Sequence, residues 1–137
     1  MVELFNLDKK YADEMIARAR AEAPNECCGI LAGVNDRVIK LYRTTNTEHS
    51  PYRYKIDPVE MLPIYKEIQN NNWELLGVYH SHTHTEAYPS PTDIESTVLP
   101  GSIYFIISLS DSDQAIIRGF HIIERKITEV ELRITET

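Results

Sequence analysis

Apolar and polar positions alternate along the chain with two different periods, which separate helices from strands. Apolar side chains near a 3.6-residue spacing, or helix-start signals before an apolar run, predict three helices, at residues 9–22, 57–70 and 92–99. Asp57 can cap the second helix, and Pro58 suits its first position. Pro63 lies inside that helix and is expected to kink it. Pro100 and Gly101 close the third helix.

Short apolar or alternating runs bounded by turn residues predict the strands. They lie at residues 2–5, 27–34, 37–44, 52–56, 75–82, 103–109, 115–124 and 127–134. Strands and helices follow one another in the order β-α-β-β-β-α-β-α-β-β-β. This order predicts an α/β (α+β) fold, in which helices pack on a mixed sheet.

The length and the amino-acid composition of the chain exclude several classes of protein. The 137 residues fit one domain, which we expect to span residues 1–137. Hydrophobic residues make up 42% and charged residues 26%, values that exclude a disordered tail, a collagen-like repeat and a disulfide scaffold. No apolar run approaches the ~20 residues of a membrane span. The N-terminus lacks the features of a secretory signal.

Charge and cysteine usage bear on partners and location. The 14 Lys and Arg against 21 Asp and Glu give a net charge of −7. An acidic domain is repelled by phosphate backbones and anionic lipid, so we expect no nucleic acid and no membrane as partners. Cys27 and Cys28 are adjacent and are the only cysteines. Because adjacent cysteines seldom bridge each other, a reduced, cytoplasmic protein is expected.

Three of the five histidines, His80, His82 and His84, lie at the end of the predicted strand 75–82 and in the loop after it. His80 and His82 are two apart, so on a strand they point to the same face about 6.6 Å apart and can bind one ion. His84 shares that face but falls in the loop. Asp93 is the best candidate for a third ligand. Two histidines and one carboxylate leave a fourth tetrahedral position for water, the pattern of a catalytic zinc site.

Each of these features also has a purely structural interpretation. A pair of histidines on a strand is often no more than an exposed polar edge. The run from Ser90 to Asp93 is also a helix start, with Ser90 as the cap and Pro91 in the first position. Both interpretations of Asp93 are compatible. Glu26 and Glu86 are candidates for a general base, although Glu86 equally suits a solvated loop residue or a loop hydrogen-bond acceptor.

The chain resembles the JAB/MPN metallopeptidases in two motifs. Their JAMM motif is similar to His80-x-His82, followed after seven residues by Ser90-x-x-Asp93. Their other signature, a Glu shortly before Cys-Gly and an apolar strand, is similar to residues 24–31. The resemblance covers essentially the whole chain. It implies the single-domain MPN/JAMM fold, with a cytidine-deaminase-like architecture.

The resemblance also implies a role for each site residue. His80, His82 and Asp93 would bind one Zn²⁺ ion. Glu26 would hold the zinc-bound water and shuttle its proton. Ser90 would help to stabilise the oxyanion of the tetrahedral intermediate. These roles make the protein a zinc metallopeptidase or isopeptidase.

A closer resemblance involves the loops. Residues 83–89, 45–51 and 54–57 are similar to the bacterial Mec branch, and Thr83 stands where many family members have Pro. This resemblance implies hydrolysis of the amide bond at the C-terminal glycine of a ubiquitin-like sulfur carrier protein, which releases cysteine for cysteine biosynthesis. The Gly-Gly tail of the carrier would add as a strand to an edge formed by residues 37–56.

Two other functions stay open at this point. The first is a prokaryotic isopeptidase that removes ubiquitin-like modifiers from protein lysines or trims the tail of the carrier. The second belongs to another class, a non-catalytic MPN scaffold that only binds partners. The sequence leaves the oligomeric state open, with a homodimer as one candidate.

Overall fold

A computed structural model describes residues 3–97, 99, 101–111 and 113–136. Within these ranges the chain forms the following elements: β1 Leu4–Asp8, α1 Lys9–Glu22, β2 Cys28–Val34, β3 Arg37–Thr44, α2 Pro58–Asn70, β4 Glu74–His82, α3 Pro91–Glu95, β5 Ile103–Ser108, β6 Ile116–Ile123 and β7 Lys126–Thr135. None of the helices in the described ranges has the length and apolar character needed to cross a membrane.

The strands form one seven-stranded sheet in the order β1-β7-β6-β5-β4-β2-β3. Two pairs, β1 with β7 and β4 with β5, are parallel, and the other pairs are antiparallel. The sheet is curled, and α1 reaches the β3 edge, where the Tyr11 hydroxyl donates to the Ile39 carbonyl at 2.8 Å. The predicted mixed sheet with packed helices is confirmed.

Strand β4 lies inside the sheet, between β2 and β5. Its two faces contact different cores: Tyr79 packs with the α1 side of the sheet, whereas Val78 packs with the α2 side. His80 pairs with Cys28 on one neighbouring strand and with Ile106 on the other. The strand end that carries the histidines is therefore fixed by backbone hydrogen bonds on both edges.

Apart from shifts of one residue at the end of an element, four sequence predictions differ from the structure. Residues 52–56 form no strand, and only an isolated bridge joins Asn46 to Ile56, because the Asn46 side chain takes the hydrogen bonds that a partner strand would provide. Helix α3 ends at Glu95 rather than at residue 99. Helix α2 continues through Pro63 as one helix, with the proline on its exposed side. Strand β1 is Leu4–Asp8 rather than 2–5.

Some predicted positions lie outside the described residues. Val2, in the predicted first strand, is one, and Val98 and Pro100, at the predicted end of the third helix, are the others.

Both cysteines are free and buried. Burial raises the pKa of the Cys27 thiol and raises that of Cys28 to about 12. A thiol with a raised pKa is a poor nucleophile at neutral pH, so both side chains act as small apolar groups in the core.

Candidate metal centre

Two elements bring three potential metal ligands together. Strand β4 carries His80 and His82 at its buried end, on the same face of the sheet. Helix α3 presents Asp93 from its first turn, where a capping box fixes the carboxylate. The Ser90 hydroxyl accepts from the Asp93 N–H at 3.1 Å, and the Ser90 N–H donates to Asp93 Oδ2 at 2.9 Å. The cap therefore orients the aspartate toward the strand.

The donor atoms of His80, His82 and Asp93 form a nearly regular triangle. Nε2 of His80 lies 3.2 Å from Nε2 of His82 and 3.2 Å from Oδ1 of Asp93. Nε2 of His82 lies 3.0 Å from Oδ2 of Asp93. Tetrahedral bonds of about 2.0–2.1 Å separate neighbouring ligand atoms by about 3.3 Å, close to these distances. All three residues are buried, and they form a group that could hold a metal ion.

Burial and mutual contact shift the pKa values of these three residues. Burial alone raises the pKa of Asp93, but the imidazoles of His80 and His82 outweigh it and hold the pKa well below its usual range. Burial lowers the pKa of His80 despite the opposing effect of Asp93. Burial also acts to lower the pKa of His82, but hydrogen bonds to Asp93 and to the Glu86 carbonyl outweigh it and raise that pKa. An ionised carboxylate beside a neutral His80 suits a cation ligand set.

Glu26 lies beside this group because of the register between β2 and β4. Cys28 pairs with His80, and the Ser81 N–H donates to the Cys27 carbonyl at 3.1 Å. The same antiparallel register places Glu26 next to His82. Glu26 is only 4% exposed, and within the described part of the chain its Oε1 has no hydrogen-bond partner. Burial raises the pKa of Glu26 to about 8, although His82 opposes the shift.

Asn46 holds the backbone of Glu26 in place, and sequence reasoning missed this residue. Its side-chain N–H groups donate to the carbonyls of Glu26 and Arg53, each at 3.0 Å. Its Oδ1 accepts from the N–H groups of Glu48 and Lys55, again at 3.0 Å. One buried amide thus ties the segment 46–55 to the start of β2. Nothing in the local sequence marks this Asn among its polar neighbours.

The remaining histidine and glutamate of the motif loop lie outside the donor group. His84 is exposed, and its Nδ1 contacts the Thr83 hydroxyl at 2.8 Å. The Glu86 side chain is exposed, but its backbone carbonyl accepts from Nδ1 of His82 at 2.8 Å. The prediction of Glu86 as a loop hydrogen-bond acceptor therefore describes its main chain, and the structure leaves Glu26 as the buried carboxylate beside the donors.

A cavity of about 620 Å³ adjoins the donor group. Its lining includes Val78, two residues before His80 on the same face of β4, and Thr92, next to Asp93. Tyr54 also lines the cavity, and its ring stacks on that of His80. Sequence reasoning missed Tyr54 as well, because its local pattern resembles a strand.

The chain is similar in sequence to a known protein family and to relatives of named activity. Residues 8–119 match the family of prokaryotic homologs of the JAB domain. The CysO-cysteine peptidase of Mycobacterium tuberculosis is 36% identical over 124 residues, which are 89% of this chain and 85% of the relative. A desampylase of Haloferax volcanii is 35% identical over 103 residues, which are 70% of this chain and 74% of the relative.

Solved structures share the fold. A protein from Desulfitobacterium hafniense superimposes with a TM-score of 0.87 at 36% identity and covers 97% of this chain and 94% of its own. A JAB1/MPN domain protein from Archaeoglobus fulgidus superimposes with a TM-score of 0.64 at 17% identity, covering 96% and 97% of the two chains. The fold expected from the two motifs is confirmed.

Proposed function

The chain belongs to the family of prokaryotic homologs of the JAB domain, and on this premise we propose that it is a zinc-dependent hydrolase of a ubiquitin-like sulfur carrier protein. It cleaves the amide bond at the C-terminal glycine of the carrier and releases cysteine. The observation that carries the proposal is the convergence of His80, His82 and Asp93 beside the buried carboxyl of Glu26.

Zinc is the metal that best suits the three donors. Two imidazoles and one carboxylate in a triangle of 3.0–3.2 Å sides fit a tetrahedral ion with one position left for solvent. When bound there, zinc lowers the pKa of its water ligand to ~7 and polarises the scissile carbonyl. A capping box and a doubly paired strand hold the three ligands in place, so the site is preorganised.

Glu26 is the general base in this proposal. Its carboxylate takes a proton from the attacking water and returns it to the leaving amine. The Oε1 atom is consistent with this role, because no group in the described ranges competes for its lone pairs. A cation at the neighbouring donors favours the ionised form that can accept a proton, against the pKa-raising effect of burial.

Ser90 stabilises the oxyanion in this proposal. Its hydroxyl oxygen accepts from the Asp93 N–H, which leaves the hydroxyl proton free to donate. A donor fixed in advance by the helix cap needs no reorganisation as charge develops, and this makes such donors effective. The capping and catalytic roles of Ser90 therefore use different parts of one hydroxyl group.

The choice of substrate rests on the extent of similarity. The CysO-cysteine peptidase matches 89% of this chain, whereas the Haloferax desampylase matches 70%. This favours a carrier–cysteine adduct. The desampylase supports a second candidate, removal of ubiquitin-like modifiers from lysines or trimming of the carrier tail. A non-catalytic scaffold is disfavoured because the two relatives are named a peptidase and a desampylase and all three donors converge.

The carrier tail is the remaining part of the proposal. A flexible Gly-Gly tail would add as a strand to the edge of the sheet, and of the residues 37–56 expected to form that edge, β3 (Arg37–Thr44) is an edge strand. Glycine is required next to the scissile bond, because a side chain at that position would collide with the wall of the groove in which the tail lies. Replacing the last glycine of the tail by a bulky residue should abolish turnover, and unchanged turnover would contradict this part.

A substrate comparison separates the two candidates. The purified protein should cleave a carrier–cysteine adduct faster than a lysine-linked conjugate of the same carrier. The reverse preference would assign the isopeptidase function instead. Free cysteine and shortened carrier are both read by mass spectrometry, so tail trimming is distinguished from cysteine release.

Variants test the assigned residues. We expect Glu26→Gln to keep zinc and to lose turnover by about 10²–10⁴-fold, since only proton transfer is removed. His82→Ala should lose both zinc and turnover, because it removes a ligand. His84→Ala, an exposed histidine outside the donor group, is the matched control and should change neither. Absence of zinc from the wild type, with hydrolysis unaffected by Glu26→Gln, would overturn the assignment.

We extend the proposal to the domain organisation, the cellular location and the oligomeric state of the protein. One JAB domain spans residues 1–137, of which 8–119 match the family. Two free, buried cysteines are consistent with a reduced, cytoplasmic protein. The homodimer stays a prediction, which sedimentation equilibrium of the purified protein can check.

A further inference from the structure

The two histidines of the donor group differ in how their second ring nitrogen is held. Nδ1 of His82 donates to the Glu86 carbonyl at 2.8 Å. Nδ1 of His80 is buried and has no hydrogen-bond partner among the residues that the structure describes. In a metal-binding histidine this nitrogen is normally hydrogen-bonded, which fixes the plane of the ring. The ring of His80 therefore needs another restraint.

Tyr54 contacts His80 in a way that can supply this restraint. The two ring centroids lie 4.3 Å apart with 20° between the ring planes, which is a stacked arrangement. The backbone is held on both sides of Tyr54, because the Asn46 side chain donates to the Arg53 carbonyl and accepts from the Lys55 N–H. A ring presented from a fixed backbone can act as a flat support for the imidazole.

We propose that Tyr54 is a positioning residue for the metal centre, whose ring sets the plane of His80 by stacking in place of the hydrogen bond that His80 lacks. The inference rests on the proposed function, since it places zinc at His80, His82 and Asp93. The stacked ring is the acting part of Tyr54, and the hydroxyl has no role in it. Tyr54 acts through His80 and touches no reacting atom.

The cavity beside the donor group provides a matched control. Tyr54 and Tyr65 both line it, Tyr54 from the segment before α2 and Tyr65 from α2 itself. In the part of the chain that the structure describes, only Tyr54 stacks on a donor histidine. Replacing Tyr65 thus changes the same cavity without removing the support of His80.

The experiment compares Tyr54→Phe, Tyr54→Leu and Tyr65→Leu with the wild type. Zinc affinity is measured by competition with a chromophoric chelator, and ligand geometry by the visible spectrum of the Co²⁺-substituted protein. Tyr54→Phe and Tyr65→Leu should keep zinc affinity within about twofold. Tyr54→Leu should bind zinc about 10–100-fold more weakly, as expected when an orienting partner is removed, and should shift the Co²⁺ bands. Circular dichroism verifies folding, and Tyr54→Met replaces Tyr54→Leu if the latter does not fold.

Each outcome decides one question. If Tyr54→Leu, or Tyr54→Met in its place, binds zinc as the wild type does with an unchanged Co²⁺ spectrum, the positioning role is wrong while the proposed function stands. If Tyr54→Phe binds as weakly as Tyr54→Leu, the hydroxyl is responsible and the stacking role is wrong. If Tyr65→Leu loses zinc equally, the effect belongs to the cavity rather than to the stack. If the wild type binds no zinc, the proposed function and this inference both fail.

Discussion

At the scale of single residues, Glu26 is an ionisable group held in an environment that disfavours its charge. Its side chain has lost almost all contact with solvent, and its Oε1 receives no hydrogen bond from any residue that the structure describes. Such a carboxyl group keeps its proton well above the usual pH, and its pKa of about 8 reflects this burial. A buried carboxyl with a strongly shifted pKa, next to a group of metal donors, is typical of a functional site rather than of a core.

The raised pKa of Glu26 predicts how stability depends on pH in chelator-treated protein. In the folded chain the pKa of Glu26 is about 8, so its carboxyl keeps its proton up to that pH. In the unfolded chain the carboxyl releases its proton near pH 4.5. The contribution of Glu26 to stability is therefore complete below the unfolded pKa and is lost as pH rises toward the folded pKa. Because Gln cannot ionise, Glu26→Gln should be more stable than the wild type at pH 8 by on the order of 1–3 kcal/mol.

Urea unfolding at pH 4.5 and pH 8 measures this difference. The two proteins should have similar free energies of unfolding at pH 4.5, where the Glu26 carboxyl is protonated in the folded chain and still about half protonated in the unfolded chain. Glu86→Gln, at an exposed carboxyl in the same region, should track the wild type at both pH values. If the free energies of unfolding of Glu26→Gln and wild type changed in parallel between pH 4.5 and pH 8, the destabilisation assigned to the buried Glu26 carboxylate would be contradicted.

At the scale of elements, the short helix α3 is specified by its own first turn. Ser90 and Asp93 exchange two hydrogen bonds, and Pro91 occupies the first helical position. Five residues are too few for a helix to be stable by propagation alone. The cap is therefore both the reason why the helix exists and the reason why Asp93 points toward β4.

Substitutions at Ser90 distinguish its helix-capping role from its proposed catalytic role. Ser90→Ala removes the acceptor of the Asp93 N–H and should lower the free energy of unfolding by about 1 kcal/mol. Ser90→Asn restores a capping oxygen and should recover most of that stability, yet it removes the hydroxyl and should not recover turnover. Thermal unfolding and adduct hydrolysis give the two readouts. Recovery of both by Asn would show that Ser90 contributes only the cap.

The segment between β3 and α2 depends on one buried amide. Asn46 uses both of its donors and accepts twice, so it replaces the regular pairing that residues 52–56 lack. Asn46→Ala leaves buried carbonyls without partners and should lower the free energy of unfolding by about 2–4 kcal/mol. It should also slow turnover, because the Glu26 backbone loses a restraint.

An exposed asparagine serves as the control for this change. Asn71→Ala removes an exposed amide that donates to the Glu67 carbonyl and should cost less than about 1 kcal/mol. Both variants are compared by urea denaturation. An equal effect of the two substitutions would mean that the Asn46 network adds nothing to stability.

At the scale of the whole molecule, the position of the site depends on how closely β2 fits between its neighbours. Gly29 is paired with Arg43 on β3 and with Tyr79 on β4. A Cβ atom at Gly29 would clash with the Tyr42 carbonyl oxygen and with the Tyr79 ring. The sheet next to the three donor residues therefore tolerates no side chain at this position.

This close approach predicts the effect of a single methyl group. Gly29→Ala should lower the free energy of unfolding by about 2–3 kcal/mol, because backbone and a large buried ring must both move. Gly101→Ala is the control, since a Cβ there meets nothing within 4 Å. Equilibrium unfolding of the two variants checks the prediction. A neutral Gly29→Ala would show that β2 can shift without cost.

The periodic segments and the helix starts could be predicted from the sequence because their causes are local. The bounds of α1 and β3 agree with the prediction, since spacing and turn residues within a few positions fix them. The prediction of a strand at residues 52–56 was wrong for the converse reason, because its cause is not local. Its alternating pattern fits a strand, but whether a strand forms depends on a partner backbone that only the assembled sheet provides.

The sequence by itself determined the donor set and the elements that carry it, because a His-x-His strand end and a capped helix with Asp are local patterns. Only the tertiary structure decided that Glu26 lies beside His82, that Asn46 holds the Glu26 backbone and that Tyr54 stacks on His80. Those contacts join residues far apart in the chain. Their distances follow from the register of the whole sheet, which no short stretch of sequence encodes.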